Sequence, residues 1–267
     1  MIHLRSVHIK SLEDSPSTYP FNLPLIQQLP GITFQSPVTF FVGENGSGKS
    51  TLIESIAMSI GSIVVGSENI QNDKSMLPAK KLANYLQLVW NKRTHKGFFL
   101  RAEDFFGYAR RMAQLRAEMQ AELKEMQKQT SNRSSLAQQL AESPFQRELY
   151  GMKQNKSDSL DQISHGESFL QLFQSRFVPD GLYLLDEPEA PLSPLRQLTL
   201  ITLIKQMVAE NAQFIIATHS PILMAFPDAE ILNFDEVPIR PIAFNDLQHV
   251  EIMRGFLNSP DAYLKHL

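Results

Sequence analysis

The sequence predicts an α/β fold: a mostly parallel sheet core, an antiparallel N-terminal β region before it, and a helical lobe inserted within it. Three observations carry this prediction. Short apolar runs alternate with segments of helical periodicity on both sides of the chain's middle. Those runs (38–42, 181–185 and 214–217) are unbroken rather than alternating, as in strands covered on both faces. Between the two halves, residues from about 104 to 128 contain no Pro and, after Gly107, no Gly. Met112, Leu115, Met119, Leu123 and Met126 recur there every three or four residues, which predicts one long helix.

In chain order, residues 2–10 set Ile2, Leu4 and Ile9 among polar neighbours and read as an edge strand, with His3 and His8 at the surface or edge rather than as ligands. Five prolines between Glu13 and Pro37 exclude a long helix and predict loops around short strands. Tyr19 or Phe21 in this stretch could stack on a base, although packing against the sheet is the commoner use of an aromatic. Residues 38–42 form a buried strand, and Leu52, Ile53, Ile56, Ala57 and Ile60 mark the helix after it. Gly66 to Lys74 reads as a loop, about 79–90 as a helix, and 98–100 as a short strand. A second short helix runs to about Glu142. In the second half, a helix follows Ser168, a strand ends on Asp186-Glu187, and a helix spans about 195–208. The strand 214–217 ends on Thr218-His219-Ser220-Pro221, with late strands at 231–234 and 239–244 and a last helix from about 246 to 257. We expect one domain over residues 1–267, with the helical insertion at about 104–163.

Composition bounds the chemistry. With no cysteine among 267 residues, disulfides, thiolate metal sites and a Cys nucleophile are excluded. A formal charge of −3 gives no global attraction to nucleic acid. The start of the chain has neither signal-peptide nor transit-helix character, and no apolar run approaches the ~18–20 residues that span a bilayer, so a cytoplasmic location is expected.

The most informative stretch joins the 38–42 strand to its helix. Gly43-Glu44-Asn45-Gly46-Ser47-Gly48-Lys49-Ser50-Thr51 satisfies G-x-x-x-x-G-K-[ST] in full, in the strand–loop–helix setting this motif requires. Glycines let backbone N–H groups converge on one anion, and the helix N-terminus adds its positive end. Lys49 is expected to reach the β- and γ-phosphates of a nucleoside triphosphate, and Ser50 to ligate Mg²⁺. In open α/β sheets ligands bind beyond the C-terminal ends of strands. Asp186, Glu187 and His219 occupy such ends. Asp186 is expected to hold Mg²⁺, Glu187 to orient or deprotonate the attacking water, and His219 to contact the γ-phosphate or that water.

The order of P-loop, helical insertion, SHGES, LLDEPEAPLSP and ATHSP resembles the ATP-binding-cassette class of ATPases, and within it the small stand-alone members of the RecF/SMC-like AAA-family group. The resemblance runs from about Val38 to Phe234. It implies an ABC-type P-loop NTPase with ATP and Mg²⁺ as cofactors. It further implies that Ser164, Gly166 and Glu167 form a signature contacting the γ-phosphate held by a second subunit, in a homodimer sandwiching two nucleotides. Asp186 becomes the Walker B aspartate, Glu187 the base and His219 the switch histidine. The chain departs from the pattern in three places. The signature is not LSGGQ, Ser193 stands near an expected aspartate, and no glutamine occupies the Q-loop, for which Glu103 (a metal ligand in that role) or Arg101 is the candidate. The function implied is Mg²⁺-dependent ATP hydrolysis driving dimerisation as a switch in a DNA-related process, with DNA or a protein as partner. The alternatives are an ABC-transporter ATPase subunit or a regulatory ATP-binding protein with little turnover.

Overall fold

A computed structural model of the chain describes residues 1–10, 12, 17–29, 31–64, 76–102, 107, 114–115, 118–119, 121–128, 143 and 165–265. The expected loop at 66–74, Glu103, Ser164, the helix ending near Glu142 and most of the 104–163 insertion lie outside the described residues. Within the insertion, residues 107, 114–115, 118–119 and 121–128 are helical, as their periodicity predicts.

Two sheets organise the rest. The larger has the order β5-β6-β7-β3-β8-β9, made of β3 (Val38–Val42), β5 (Gly97–Arg101), β6 (Leu182–Asp186), β7 (Gln213–Ala217), β8 (Glu230–Asn233) and β9 (Arg240–Pro241). Every neighbouring pair in it is parallel except β8–β9. Alternate residues of each strand feed two cores. Phe40, Leu185, Phe214 and Ile216 face one side, with Phe169 and Phe173 of α4 (His165–Arg176) and with α5 (Pro194–Ala209). Phe41, Leu184, Ile215 and Ala217 face the other, with Leu52, Ile53 and Ile56 of α2 (Lys49–Ile60). Burial on both faces is the physical reason the strands read as unbroken apolar runs. Aromatic contacts fix α4: Phe173 meets Phe169 at 4.7 Å and Phe98 of β5 at 6.1 Å, centroid to centroid.

The smaller sheet is antiparallel, with the order β2-β1-β4, and packs on the α2 side. It comprises β1 (Leu4–Ile9), β2 (Ile32–Thr33) and β4 (Leu86–Trp90). Four expectations are corrected here. β1 is the central strand, because β4 occupies the side on which the sequence shows no partner. The segment read as a helix from about 79 to 90 is the short helix α3 (Leu77–Ala83) followed by β4, whose Leu-Gln-Leu-Val-Trp suits a pleated surface better than a helix. His3 is fully buried rather than superficial, its Nε2 2.7 Å from the Asn211 carbonyl and its Nδ1 3.3 Å from that of Lys92. The proline-rich stretch holds α1 (Pro24–Gln28) as well as β2. The last part of the chain adds α6 (Pro221–Met224), α7 (Gln248–Asn258) and α8 (Pro260–Leu264), and the expected strand at 239–244 shrinks to β9.

Side chains of the small sheet reach the large one. Gln213, at the start of β7 and fully buried, accepts from the backbone N–H groups of His3 and Leu4, both at 2.8 Å, and donates to the Leu4 carbonyl at 3.0 Å. No described helix is long and apolar enough to cross a membrane.

Candidate functional site

The site is assembled where β3, β6 and β7 end. Leaving β3, the chain turns at Gly43, whose φ of 146° is open only to glycine. A Cβ there would lie 2.8 Å from Oδ1 of Asp235. At the other end of the loop, Gly48 (φ 99°) caps α2 in the left-handed conformation, and a Cβ on it would lie 2.9 Å from Leu25. Asn45, Gly46 and Ser47 form the crest between them, with Asn45 and Gly46 exposed. The Lys49 side chain, buried at the base of the loop, donates to the carbonyls of Gly43 (2.7 Å) and Glu44 (2.8 Å) and lies 3.4 Å from Ser47 Oγ. Burial pulls the pKa of the Lys49 ammonium below its ordinary value, and the carboxylates of Asp235, Asp186, Glu187 and Glu44 oppose that pull.

Across the sheet, Ser50 Oγ donates to Asp186 Oδ1 at 3.1 Å, joining residues 136 apart in sequence. Asp186 is 8% exposed. Desolvation, reinforced by nearby Glu54 and Glu187, pushes its pKa up to about 7. A hydroxyl and a buried carboxylate with surplus negative charge around it are hard oxygen donors of the kind Mg²⁺ takes alongside water and phosphate oxygens. Among the described residues no cluster of three or more His, Asp and Glu could hold a metal by itself.

Glu187 follows with φ 50°, a left-handed conformation that costs a non-glycine residue about 1 kcal/mol or more and tends to persist at functional positions. Its N–H donates to the Ala217 carbonyl, which fixes the turn against β7. Glu187 and Tyr19 line a cleft of about 250 Å³ with Asn45, Lys49, Ser50 and Thr51. His219 Nε2 is 3.9 Å from Glu187 Oε1. Desolvation and the Lys49 charge lower the imidazole pKa below its usual value, so the ring is neutral at neutral pH.

Two contributors are not legible as such in the sequence, and the structure decides between the candidates for a third. The largely buried Glu189 accepts from the His219 N–H at 2.7 Å through Oε1, so it sets the height of the histidine loop. Asp235, just past β8, accepts from the Glu44 N–H at 2.7 Å and shapes the first turn of the P-loop. The only sequence signals were an acid two residues beyond Glu187 and another directly after a strand end. Third, the two aromatics separate: Phe21 is buried and packs edge-on to Tyr85 at 5.0 Å, whereas Tyr19 is exposed in the cleft with its hydroxyl bonded to Thr51 Oγ1.

The signature-like segment is described from His165 onward. Ser164, like Glu103, is outside the described residues. Gly166 is buried, and a Cβ on it would meet the Pro191 carbonyl at 2.7 Å and Arg196 at 3.0 Å. Glu167, exposed one residue later, lies 3.5 Å from the Arg196 guanidinium through Oε2. The segment is therefore packed on the loop that follows Glu187 and on the start of α5.

A model of the family described as "AAA domain, putative AbiEii toxin, Type IV TA system" matches residues 81–225, more than half of the chain. The match includes Asp186, Glu187 and His219 and begins after the P-loop. No curated protein matches the chain. Solved structures similar to it include an Smc head domain with an extended coiled coil, bound to the C-terminal domain of ScpA, from Pyrococcus furiosus. That chain is 12% identical, with 96% of this chain and 100% of the other covered and a TM-score of 0.46. The SMC head domain from Thermotoga maritima is 17% identical, with 91% and 100% covered and a TM-score of 0.42. The ADP conformation of an ATP-binding cassette from an ABC transporter is also 17% identical, with 96% and 99% covered and a TM-score of 0.45.

Proposed function

We propose, from the premise that the chain belongs to this AAA-domain family, that it is a Mg²⁺-dependent ATPase working as an ATP-bridged homodimer. One observation carries the hydrolytic reading: the Ser50–Asp186 hydrogen bond brings the P-loop to the end of β6, beside a left-handed Glu187 in the same cleft. Tyr19 offers its ring to the base, while the loop amides and Lys49 hold the phosphates. Ser50 and Asp186 would hold Mg²⁺, and the cation would supply positive charge to the phosphate oxygens. Glu187 accepts a proton from water as the water oxygen bonds to the γ-phosphorus. The bond from that phosphorus to the bridging oxygen breaks, giving ADP and phosphate. His219, neutral and held by Glu189, donates a hydrogen bond to the γ-phosphate or orients the water.

The dimer reading is supported by the resemblance of the signature-like segment, whose Gly166 and Glu167 pack against Pro191 and Arg196. Together with Ser164, these residues would serve a nucleotide held by a second copy in an isologous C2 pair. The resemblance supports a switching role in a DNA-related process, with DNA or a protein as the partner.

Glu187→Gln tests the whole scheme. It should abolish phosphate release and trap a dimer with ATP and Mg²⁺ in light scattering. Lys49→Ala should lower hydrolysis by about 100-fold or more, since charge stabilisation dominates phosphoryl transfer. A Glu187→Gln protein that stays monomeric sinks the dimer, and one that hydrolyses normally sinks the assignment of the base. Duplex DNA titrated at low and high salt, with and without ATP, tests the DNA role, and no binding at low salt ends it.

A further inference from the structure

Behind Asp186 lies a buried ion pair that the scheme above does not use. β5 runs parallel to β6, with Arg101 level with Asp186. Arg101 Nη1 is 3.3 Å from Glu54 Oε1, and the two side chains are only 7% and 15% exposed. Glu54 sits one helical turn beyond Ser50 on α2, on the same face of the helix, and Ser50 bonds Asp186. Among the described residues, Ser50, Glu54, Arg101 and Asp186 thus lie together, two carboxylates beside one guanidinium.

That arithmetic creates a competition. An arginine takes a carboxylate through two parallel N–H···O bonds, and a carboxylate so occupied has its oxygens turned away from a metal. Arg101 is the strand neighbour of Asp186 and the field of each reaches the other. In the structure the guanidinium is turned to Glu54, while Asp186 Oδ1 faces the Ser50 hydroxyl. We propose that Glu54 is a positioning residue that holds Arg101 off Asp186 and so keeps the aspartate available to the divalent cation. Arg101 has the reciprocal role of balancing a second carboxylate placed beside the first, a pairing that burial would otherwise disfavour. This rests on the Mg²⁺ reading given above.

The test measures Mn²⁺ binding at pH 8 with saturating ADP, by electron paramagnetic resonance on the intact chain. Glu54→Gln removes the carboxylate that competes with Asp186 for Arg101 and should weaken Mn²⁺ at least tenfold. Glu54→Gln combined with Arg101→Met removes the competitor and should return affinity to within threefold of wild type. Arg101→Met alone should bind Mn²⁺ at least as well as wild type, and it carries the test should Glu54→Gln not fold. Binding of a fluorescent ADP analogue in EDTA should be the same in all of them, which a general loss of structure would not allow. Wild-type affinity in Glu54→Gln overturns the proposal, as does a double variant as weak as Glu54→Gln or a tenfold loss in Arg101→Met. An Asp186→Asn variant that binds Mn²⁺ like wild type overturns the Mg²⁺ reading itself, a result distinct from these.

Discussion

Replacing Gln213 by leucine removes the joint between the two sheets while keeping the shape of the side chain. The wild-type amide satisfies two backbone N–H groups and one carbonyl at 2.8–3.0 Å in a fully buried position. Leucine satisfies none of them. Stranding two buried amides costs about 1–3 kcal/mol each, and extra apolar burial offsets roughly 1–2 kcal/mol, which at mid-range leaves a net loss of about 2.5 kcal/mol. For a chain of this size each kcal/mol lowers Tm by about 2–4 °C, so the melting point should fall by about 5–10 °C. Circular dichroism melts of wild type and Gln213→Leu measure this directly. A shift smaller than about 2 °C would refute the reasoning, because it would mean the His3 and Leu4 amides do not depend on the glutamine.

Two further substitutions separate packing from binding at the aromatic pair. Tyr19→Ala should raise the Kd for ATP by about 5- to 100-fold, the worth of one base–aromatic stack, with Tm unchanged. Phe21→Ala should destabilise by about 3–5 kcal/mol in denaturant melts through loss of a buried ring, and nucleotide affinity in the folded fraction should stay at the wild-type level. At the histidine loop, Glu189→Ala should slow hydrolysis by about tenfold through the lost bond to the His219 N–H, whereas Glu189→Gln, which still offers an acceptor, should recover most of the rate. Equal rates for the two Glu189 variants, measured by phosphate release, would remove it from the site.

What the sequence reveals of the site is local in origin. The P-loop is a contiguous string with a fixed backbone task, and Asp186, Glu187 and His219 are marked by the apolar runs that end on them. The structure brings the P-loop, Asp186, Glu187 and His219 together at one edge of the sheet. Glu189 and Asp235 escape notice because each works through a hydrogen bond to a backbone amide, 30 and 191 residues away respectively. His3 escapes for the same reason, its carbonyl partners lying 89 and 208 residues along the chain. The misread helix has another cause. Ala79, Leu82 and Leu86 keep a helical spacing across the α3–β4 junction, and only the pairing of Leu86 through Trp90 with β1 decides for the strand.

The place of β3 in the large sheet governs how the molecule can be made. Its hydrogen-bonding neighbours are β7 and β8, which leave the ribosome about 170 residues or more after it. At about 5–20 residues per second, the strand that launches the P-loop waits roughly 10–35 s with both edges open. Throughout that interval the phosphate-binding motif is complete in sequence and has no sheet to stand on. An N-terminal fragment cut before Gln213 therefore remains an exposed pair of strand edges, prone to self-association rather than to nucleotide capture. Any natural or engineered division of this chain has to keep β3, β7 and β8 within one translation product.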